Sequence, residues 1–566
     1  MPSFISARSY VFSLLQVLLI VIPFAVGIDL PLYRTVTRRL DKRDNGSTAI
    51  GLGDVLDVTY NVVMSVGSTV TTLVVDTGSS DLWLVSDAYT GNGSEAEIPL
   101  YSHTAFQPTG LDAELFYGDS RTGTYASGPI GGDMAGIAGL STNNQSFAAI
   151  NRTNTTVFQT GSAGILGLGF PPISMIWRQL LQAALADEGS PLSKRELSPN
   201  ISSNVDTGTI GHPPFPSFEF LTPAITKRRK RLSDPSHTDF AIASFAMFGP
   251  LLARLVLQQA LDQPLITTTL QRDTVQLGGN AGVLSLGGLP AGVREEQLVW
   301  VPVRAYTADQ GGLPPPTDAP NEVYPLVWEV PVDDVYFDDV KLPQSALASP
   351  AISLSALIDT GNSLIRGPRD ILSHIVARTG STFDCSVAHN LSFLIGGMLF
   401  PVDPRDFARP ISSESGDDAV AKCSPALAAT DPPGVGGFLY SWSLGDPFLK
   451  SAMVAYYYGN LTHPSQDPPR VGLLSTVPAN VTQDLQDAVE AAISNGGFPA
   501  TSNAAPSGTL APTLSGLDII PPPTHSSNVS VFWTSGAATC TNNVALWIPL
   551  LVGMVSGLVL LGSLQI

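Results

Sequence analysis

The tripeptide Asp-Thr-Gly occurs twice in the same apolar setting and places a carboxylate at the end of each of two strand-like runs. The first copy begins at Asp76 and follows apolar residues 73–75, and the second begins at Asp359 and follows 356–358. A lone carboxylate at the end of a buried strand is costly unless it is hydrogen-bonded or needed for chemistry. Two such carboxylates lying close together cannot both ionise easily, so one keeps a proton while the other acts as a base. The repeat therefore predicts a proton-sharing pair.

A third Asp-Thr-Gly begins at Asp206, and its surroundings argue against the same role. It follows residues 202–205, which are mostly polar, so no apolar strand precedes it to bury the carboxylate. Tripeptides also recur by chance in a chain of 566 residues. We therefore expect Asp206 to lie in a surface turn.

The two apolar copies lie in sequence with an all-β texture. From about Leu56, short β-rich runs such as 58–66 and 70–75 are broken by Gly, Ser and Asn. With 44% apolar and 14% charged residues, the chain has a globular composition, and its length allows two sizeable cores. We expect two related β-rich halves, each of which supplies one aspartate.

The order of these motifs resembles the pepsin-like aspartic proteases over most of residues 55–475. This resemblance implies an all-β, bilobal fold in which the active-site cleft lies between lobes at about 50–300 and 301–478. The matching stretches are 75–83, 116–120 and 164–170 in the first lobe, 282–288 and 300–303 between the lobes, and 358–364, 442–448 and 470–473 in the second lobe.

The resemblance implies that Asp76 and Asp359 hold a water molecule between them. The ionised member takes a proton from this water as it attacks a peptide carbonyl, while the protonated member hydrogen-bonds the carbonyl oxygen. No covalent intermediate and no cofactor are needed. The implied activity is that of an aspartic endopeptidase acting on peptide or protein substrates.

The threonine and glycine of each motif have implied supporting roles. Thr77 and Thr360 are expected to hydrogen-bond across the lobe junction and hold the two loops in place. Gly78 and Gly361 let the backbone turn sharply after each aspartate.

The residue after each glycine differs between the halves. Ser79 is expected to hydrogen-bond the outer oxygen of Asp76. At the matching place in the second lobe the family usually has Thr or Ser, whereas this chain has Asn362. Because an amide can still donate a hydrogen bond, we expect this departure to change the tuning of the pair without abolishing activity.

The resemblance also implies a β-hairpin flap that closes over substrate and excludes water. Tyr117 is the expected tip residue, followed by Gly118 and Asp119, and its hydroxyl is expected to bond Trp83. The family commonly continues with Gly where this chain has Ser120. This difference concerns the turn and the mobility of the flap and not its presence.

Three cysteines are present, and two of them match the second-lobe disulfide of the family. These are Cys385 and Cys423, and Cys540 is left without a partner. The chain contains neither His-Glu-x-x-His nor Gly-x-Ser-x-Gly, and its seven histidines are scattered without ligand spacing. We therefore expect no metal site and no serine-hydrolase chemistry.

The N-terminal region predicts entry into the secretory pathway. Residues 1–27 contain a basic start, an apolar run and small residues typical of a signal peptide. Residues 28–43 read as a short propeptide because they carry the dibasic pairs 38–39 and 42–43, although a basic loop is the alternative. Ten Asn-x-Ser/Thr sequons agree with a glycosylated, extracellular protein. A net charge of −19 argues against nucleic-acid binding and suits a protein that works in acid.

Two regions interrupt the globular pattern. Residues 188–245 are polar and Pro-rich and contain the basic run 227–231, so we expect an exposed insertion whose basic run is a solvated loop or a cleavage site. Residues 479–543 are rich in Ser, Thr, Pro, Ala and Asn, which indicates a flexible stalk.

The C-terminal residues 544–566 predict attachment to a membrane. The stretch 544–564 has no charge and is long enough to span a bilayer. Small residues at 535–537 and the absence of a basic flank after 564 favour a GPI signal, and a transmembrane helix is the alternative. This layout is similar to fungal cell-surface aspartic proteases called yapsins.

The sequence thus predicts a monomeric aspartic endopeptidase of the cell surface. The alternative is a non-catalytic homologue of the same fold that uses the cleft only to bind peptides or cell-wall material. Loss of either aspartate would favour that alternative, and both Asp76 and Asp359 are present. Substrate preference does not follow from the sequence.

Overall fold

The computed structural model describes most of the chain between residues 28 and 498. The described residues are 28–36, 58–91, 98–118, 123–187, 215–221, 237–270, 281–290, 292–411, 422–434 and 437–498. The predicted signal peptide, Asp119, Ser120, Asp206, the 227–231 run, Cys540, the stalk beyond 498 and the C-terminal apolar run therefore lie outside the described residues.

Strands dominate the described residues. The strands are β1 Ile28–Val36, β2 Val58–Val66, β3 Thr69–Asp76, β4 Leu82–Val85, β5 Gln107–Tyr117, β6 Thr124–Ile137, β7 Leu140–Ile150, β8 Arg152–Thr153, β9 Gly164–Gly167, β10 Leu265–Thr269, β11 Ala281–Leu286, β12 Val299–Pro302, β13 Ala305–Tyr306, β14 Tyr324–Pro325, β15 Glu329–Pro331, β16 Asp334–Phe337, β17 Val340–Lys341, β18 Ser355–Ile358, β19 Ile365–Gly367, β20 Phe383–Asp384, β21 Leu391–Ile395, β22 Met398–Pro401, β23 Ala408–Pro410, β24 Lys422–Pro425, β25 Leu427–Ala429, β26 Trp442–Leu444, β27 Ala452–Tyr457 and β28 Arg470–Ser475.

The helices are fewer and mostly short. They are α1 Met175–Asp187, α2 His237–Ala243, α3 Phe245–Phe248, α4 Leu251–Leu257, α5 Arg369–Thr379, α6 Pro404–Phe407, α7 Asp446–Leu449 and α8 Val481–Ser494.

The largest sheet runs from the second lobe into the first. Its strand order is β12-β28-β27-β10-β11-β1-β2-β3-β9-β4-β7-β6-β5. The second lobe adds smaller sheets, of which β15-β18-β26-β19-β25 carries the second Asp-Thr-Gly motif. The predicted fold class, an all-β bilobal fold, is confirmed.

The two Asp-Thr-Gly motifs follow equivalent three-strand arrangements. In the first lobe β3 pairs parallel with β9, and β9 pairs antiparallel with β4. In the second lobe β18 pairs parallel with β26, and β26 pairs antiparallel with β19. Strands β9 and β26 therefore occupy equivalent positions in the two lobes. Each runs beside the strand that leads to the aspartate and is followed by a turn that contains glycine.

Buried side chains from both lobes meet behind the motifs. The indole Nε1 of Trp328 donates to the carbonyl of Leu168 at 3.0 Å, and the Tyr458 hydroxyl donates to the same carbonyl at 2.6 Å. Phe170 packs against the Trp328 ring with a centroid distance of 4.3 Å. These contacts fix the first-lobe Gly-rich turn against the second lobe.

The prediction that 188–245 is an exposed insertion is wrong at the C-terminal end of this segment, where α2 and the start of α3 lie. Ala241, Ile242 and Phe245 are buried, and the Phe245 ring packs on Trp177 of α1 at 5.2 Å. Earlier in the insertion, Phe218 is also buried in this cluster. The average composition of the region is polar, and it therefore does not indicate that its few apolar residues are buried.

The predicted start of the stalk at 479 is also wrong, because α8 packs on the second lobe. Leu485, Val489 and Ala492 are buried on one face of this helix. Their spacing of four and three residues is the helical repeat that places side chains on one face.

The residues predicted as a propeptide contribute β1 to the largest sheet. Its backbone pairs antiparallel with β11 from Ile28 to Tyr33 and with β2 from Tyr33 to Val36. Within the described residues, no single helix is long and apolar enough to cross a membrane, and only the sharply bent pair formed by 237–248 and 251–257 meets the length and composition test.

Candidate active site

The first aspartate is the last residue of β3 and is almost completely buried. Asp76 has 1% of its surface exposed. Its Oδ1 accepts a hydrogen bond from the Gly78 backbone N–H at 2.8 Å, and its Oδ2 accepts one from the Ser79 hydroxyl at 2.5 Å. The Ser79 contact is the one that the sequence predicts. Both oxygens of this carboxylate are therefore held by donors of its own turn.

The second aspartate directly follows β18 and faces the first. Asp359 Oδ1 accepts from the Gly361 backbone N–H at 3.0 Å. The two aspartate side chains lie within hydrogen-bonding reach of each other. A Cβ atom on Gly78 would lie 2.5 Å from Asp359 Oδ1, so only glycine fits between the turns. The structure thus brings together two carboxyl groups that are 283 positions apart.

The two threonines bridge the lobes through four reciprocal hydrogen bonds. The Thr77 hydroxyl donates to the carbonyl of Ile358 at 2.9 Å and accepts from the Thr360 N–H at 3.0 Å. The Thr360 hydroxyl donates to the carbonyl of Val75 at 2.8 Å and accepts from the Thr77 N–H at 3.0 Å. Because both threonines are fully buried, this arrangement rigidly fixes the separation of the aspartates.

Burial raises the pKa of both carboxyl groups, but the rest of their surroundings differs. The pKa of Asp76 is raised by burial, against which the donors Ser79 and Gly78 stabilise its charged form. Burial and the negative charge of Asp76 raise the pKa of Asp359 to about 7. The pair therefore shares one proton over an acidic to neutral range, and the donors around Asp76 favour the charged form at that residue.

Asn362 does not take the place that Ser79 has in the first lobe. Its Nδ2 donates to the Ser443 hydroxyl at 2.9 Å, and its Oδ1 accepts from the Arg366 Nε at 3.2 Å. The Ser443 hydroxyl in turn donates to Asp359 Oδ2 at 3.5 Å. The amide thus reaches the carboxyl group through a second side chain.

Strands β5 and β6 pair as a hairpin at the place where the sequence predicts a flap. Tyr117 ends β5 and pairs with Thr124, and Gly118 follows with a φ of +90°, which favours glycine. The Trp83 indole Nε1 donates to the Tyr117 hydroxyl at 2.6 Å. Burial and the carboxylates of Asp81 and Asp76 raise the pKa of the Tyr117 phenol, so it stays protonated.

A cleft of about 550 Å³ runs over the aspartate pair. Its wall includes residues from the hairpin, from α1 and from the loop before β26. Residues of the cleft that the sequence did not single out include Glu114, Ile173, Met175, Arg178, Phe215, Pro216, Arg366, Asp431, Phe438 and Tyr440.

One wall of the cleft comes from the predicted insertion and reaches the second lobe. The Phe215 ring packs edge-on against Phe438 at 5.0 Å and lies 6.1 Å from Tyr306. Sequence reasoning missed Phe215 because it stands in a Pro-rich stretch without a strand or helix pattern. Its only signal is an aromatic residue between prolines.

The second-lobe disulfide joins Cys385 to Cys423, with their Cα atoms 5.0 Å apart. Both cysteines are buried; Cys385 directly follows β20, and Cys423 lies in β24. Across the ranges that the structure describes, no group of three or more His, Cys, Asp or Glu residues could hold a metal ion.

Comparison with known proteins decides the family. The family model described as eukaryotic aspartyl protease matches residues 59–189 and 239–463, more than half of the chain. The chain belongs to this family. The protease is therefore an aspartic endopeptidase, a hydrolase of peptide bonds. The family match resumes at 239, close to where α2 begins, and this agrees with the core position of that helix.

Two relatives resemble the protease over most of its length at low identity, and a third resembles a shorter stretch at higher identity. Cathepsin E of Mus musculus is 23% identical over 440 residues, which are 75% of this chain and 81% of that protein. Aspartic protease 1 of Caenorhabditis elegans is 22% identical over 425 residues, 71% of this chain and 79% of that protein. Syncephapepsin of Syncephalastrum racemosum is 34% identical over 135 residues, 23% of this chain and 33% of that protein.

Proposed function

We propose that the protease cleaves peptide bonds through a water activated by Asp76 and Asp359. The observation that carries this proposal is the placement of the buried Asp76 carboxyl and the half-buried Asp359 carboxyl within hydrogen-bonding reach at the floor of one cleft. Asp76 has the stronger set of donors and acts as the base, while Asp359 holds the shared proton and donates to the substrate carbonyl oxygen. In the second step Asp76 gives the proton that it took from water to the amide nitrogen as the C–N bond breaks. Asp359 recovers its proton from a hydroxyl of the tetrahedral intermediate, so the pair again holds one proton.

The surrounding residues support this chemistry without taking part in proton transfer. Thr77 and Thr360 fix the two loops, and Gly78 lets them approach. Tyr117, held by Trp83, closes the hairpin over the substrate and excludes water from the reacting bond. The substrate is a peptide or a protein segment, which agrees with a cleft that is lined by residues of both lobes.

Replacement of either carboxyl group tests the proposal. Asp76→Asn and Asp359→Asn should each lower kcat by about 100- to 10,000-fold, since each removes one proton-transfer group. Asp206→Asn, in the third Asp-Thr-Gly, is the matched control and should leave kcat unchanged. A pepstatin-like mimic of the tetrahedral intermediate should inhibit the wild-type enzyme. Wild-type turnover in the Asp76→Asn protein would contradict the mechanism.

We also propose that the enzyme works at acidic pH on the outer face of the cell, as a glycosylated and membrane-attached monomer. Support comes from the signal-like residues 1–27, the ten sequons and the apolar stretch 544–564. A GPI anchor, attached near 535–537 or upstream, is the favoured form, as in the yapsin-like proteases.

The form of attachment has a direct test. Phosphatidylinositol-specific phospholipase C should release the mature enzyme from intact cells, and mass spectrometry of the released protein should find no peptide from 544 onward. Detection of such peptides in the mature surface protein would exclude the GPI anchor and leave the protease activity unaffected.

A further inference from the structure

The strand beside Asp359 carries a polar residue where the equivalent strand beside Asp76 is apolar. Ser443 of β26 lies opposite Leu357 of β18 and opposite Arg366 of β19. In the first lobe the corresponding position of β9 is Ile165, which lies opposite Val74 and Trp83. The two lobes have the same strand pairing at this position, but the side chain is a hydroxyl in the second lobe and apolar in the first.

The hydrogen bonds around Asn362 fix the orientation of its amide. Two donors point at its Oδ1, namely the Leu364 backbone N–H and the Arg366 Nε–H, both at 3.2 Å. An N–H donor must face the oxygen of the amide, so the nitrogen faces the opposite way. The Nδ2 hydrogens therefore point at Ser443, whose Oγ lies at 2.9 Å.

The orientation of the amide determines the role of the Ser443 hydroxyl. Because its oxygen accepts from Asn362, its own hydrogen is free to point at the next acceptor, Asp359 Oδ2, at 3.5 Å. The donors thus follow one direction, from Arg366 through Asn362 and Ser443 to the carboxyl group. In the first lobe the Ser79 hydroxyl donates to Asp76 Oδ2 directly, at 2.5 Å.

We propose that Ser443, oriented by Asn362 and Arg366, is the positioning residue for Asp359 and replaces the direct contact that Ser79 makes with Asp76. The inference rests on the proposed catalytic role of the aspartate pair. It explains why Asn362 is compatible with activity at a position where a short hydroxyl would be expected.

The network also places a positive charge near Asp359. The charged and titratable groups around this carboxyl are Asp76, the Arg366 guanidinium and the phenols of Tyr440 and Tyr456. Burial and Asp76 raise its pKa, while the Gly361 N–H and Arg366 oppose that rise. A hydrogen bond from Ser443 stabilises the charged form further, so its loss raises the pKa of Asp359.

The pH profile of Ser443→Ala tests the proposal. The basic limb of kcat/KM should move upward by about half to one pH unit, the size that corresponds to an ordinary hydrogen bond. The value of kcat at the optimum should fall about tenfold because the carboxyl group is less well oriented. Ile165→Val, at the equivalent position of the first lobe, alters packing without facing a carboxyl oxygen and should keep the wild-type limb.

A rescue variant separates positioning from packing. Asn362→Ser puts a hydroxyl three residues after Asp359, as Ser79 stands three residues after Asp76, so it can donate directly. The double variant Ser443→Ala/Asn362→Ser should therefore return the basic limb to the wild-type pH. A wild-type limb in Ser443→Ala, or a double variant that stays with the single variant, would overturn the proposal.

A readout without catalysis distinguishes this inference from the proposed function. Thermal unfolding of Ser443→Ala, followed between pH 4 and 8, should show stability being lost at a higher pH than in wild type, because the pKa of Asp359 is higher. An unchanged pH dependence of unfolding would overturn the positioning role even in an enzyme whose activity is intact. Failure of the Asp76→Asn test would instead affect the proposed function.

Discussion

The aspartate pair is asymmetric at the level of single residues, although the loops that present it are alike. Asp76 is held by Ser79 and Gly78, whereas Asp359 is reached by Ser443 from another strand. Donors to the charged form stabilise it, so the better-supported carboxyl ionises first. The asymmetry therefore favours the charged form at Asp76 and the shared proton at Asp359, whose pKa is raised to about 7.

The raised pKa of Asp359 predicts how stability depends on pH. Between pH 3.8, the ordinary value, and about 7, the folded state binds more protons than the unfolded state. The contribution of Asp359 to stability is therefore fully present at low pH and is lost as pH rises through about 7. The melting temperature should fall over this range, and Asp359→Asn should reduce the fall because its amide does not titrate.

An exposed carboxyl group provides the control for this measurement. Asp112→Asn, on the outer face of β5, should keep the wild-type pH dependence. Burial also raises the pKa of Asp76, Asp81 and Glu329, so Asp359→Asn should flatten the curve in part. An identical curve for Asp359→Asn and wild type would contradict the assignment of the proton.

The Tyr117 hydroxyl is predicted to hold the hairpin closed. Tyr117→Phe removes the acceptor of Trp83 and leaves a buried N–H unpaired, which costs about 1–3 kcal/mol in the closed form. We expect kcat/KM to fall about tenfold, less than for the aspartate substitutions. Tyr125→Phe, on the neighbouring strand and 37% exposed, is the matched control and should leave kcat/KM unchanged.

Residues within the local motifs could be predicted from the sequence, and those brought in by strand pairing could not. Thr77, Thr360 and Ser79 make the expected contacts because each lies within three residues of its aspartate. Ser443 lies 81 positions from Asn362, and they meet only because β26 inserts between β18 and β19. That register depends on the tertiary fold.

At the scale of elements, the average composition of two regions did not indicate that their helices belong to the core. The segment 188–245 is polar overall, yet α2 and α3 bury one apolar face against α1. Helix α8 begins in a stretch rich in Ala, Ser and Asn, but its apolar residues repeat with helical spacing. Where the period of the apolar residues and the average composition disagree, the period decides whether a helix packs.

Helix α8 is predicted to stabilise the second lobe. Its Leu485 side chain is fully buried, and its Asp484 carboxylate lies 3.4 Å from the Arg405 guanidinium of α6. Leu485→Ala should lower the free energy of unfolding by about 2–5 kcal/mol, as expected for a buried leucine. Urea unfolding measures this change.

The neighbouring position gives a control for the helix. Gln486→Ala replaces an exposed side chain of the same helix and should change the free energy of unfolding by less than about 0.5 kcal/mol. Equal effects of the two substitutions would show that the helix does not pack on the lobe and would restore 479 as the start of the stalk.

At the scale of the whole molecule, the lobes are joined at the threonine pair, at the Leu168 carbonyl and through β1 of the large sheet. In the strand order, β1 lies between β11 and β2 and connects the two parts of this sheet. The same residues belong to the segment that the dibasic pair at 42–43 would separate from the body. A cut at this dibasic pair would therefore separate a strand that stabilises the large sheet from the rest of the chain.

A cut after Arg43 is predicted to leave the segment 28–43 bound. The backbone of β1 pairs on both sides, and exchanging these hydrogen bonds for water leaves the edges of β11 and β2 unpaired. Native mass spectrometry of the processed enzyme should therefore find this peptide with the body, and denaturing conditions should separate the two. A chain that starts at Asp44 should melt at a lower temperature, whereas one that ends at residue 498 should keep the wild-type melting temperature. Release of the peptide without loss of stability would show that β1 is dispensable and that its place in the sheet is temporary.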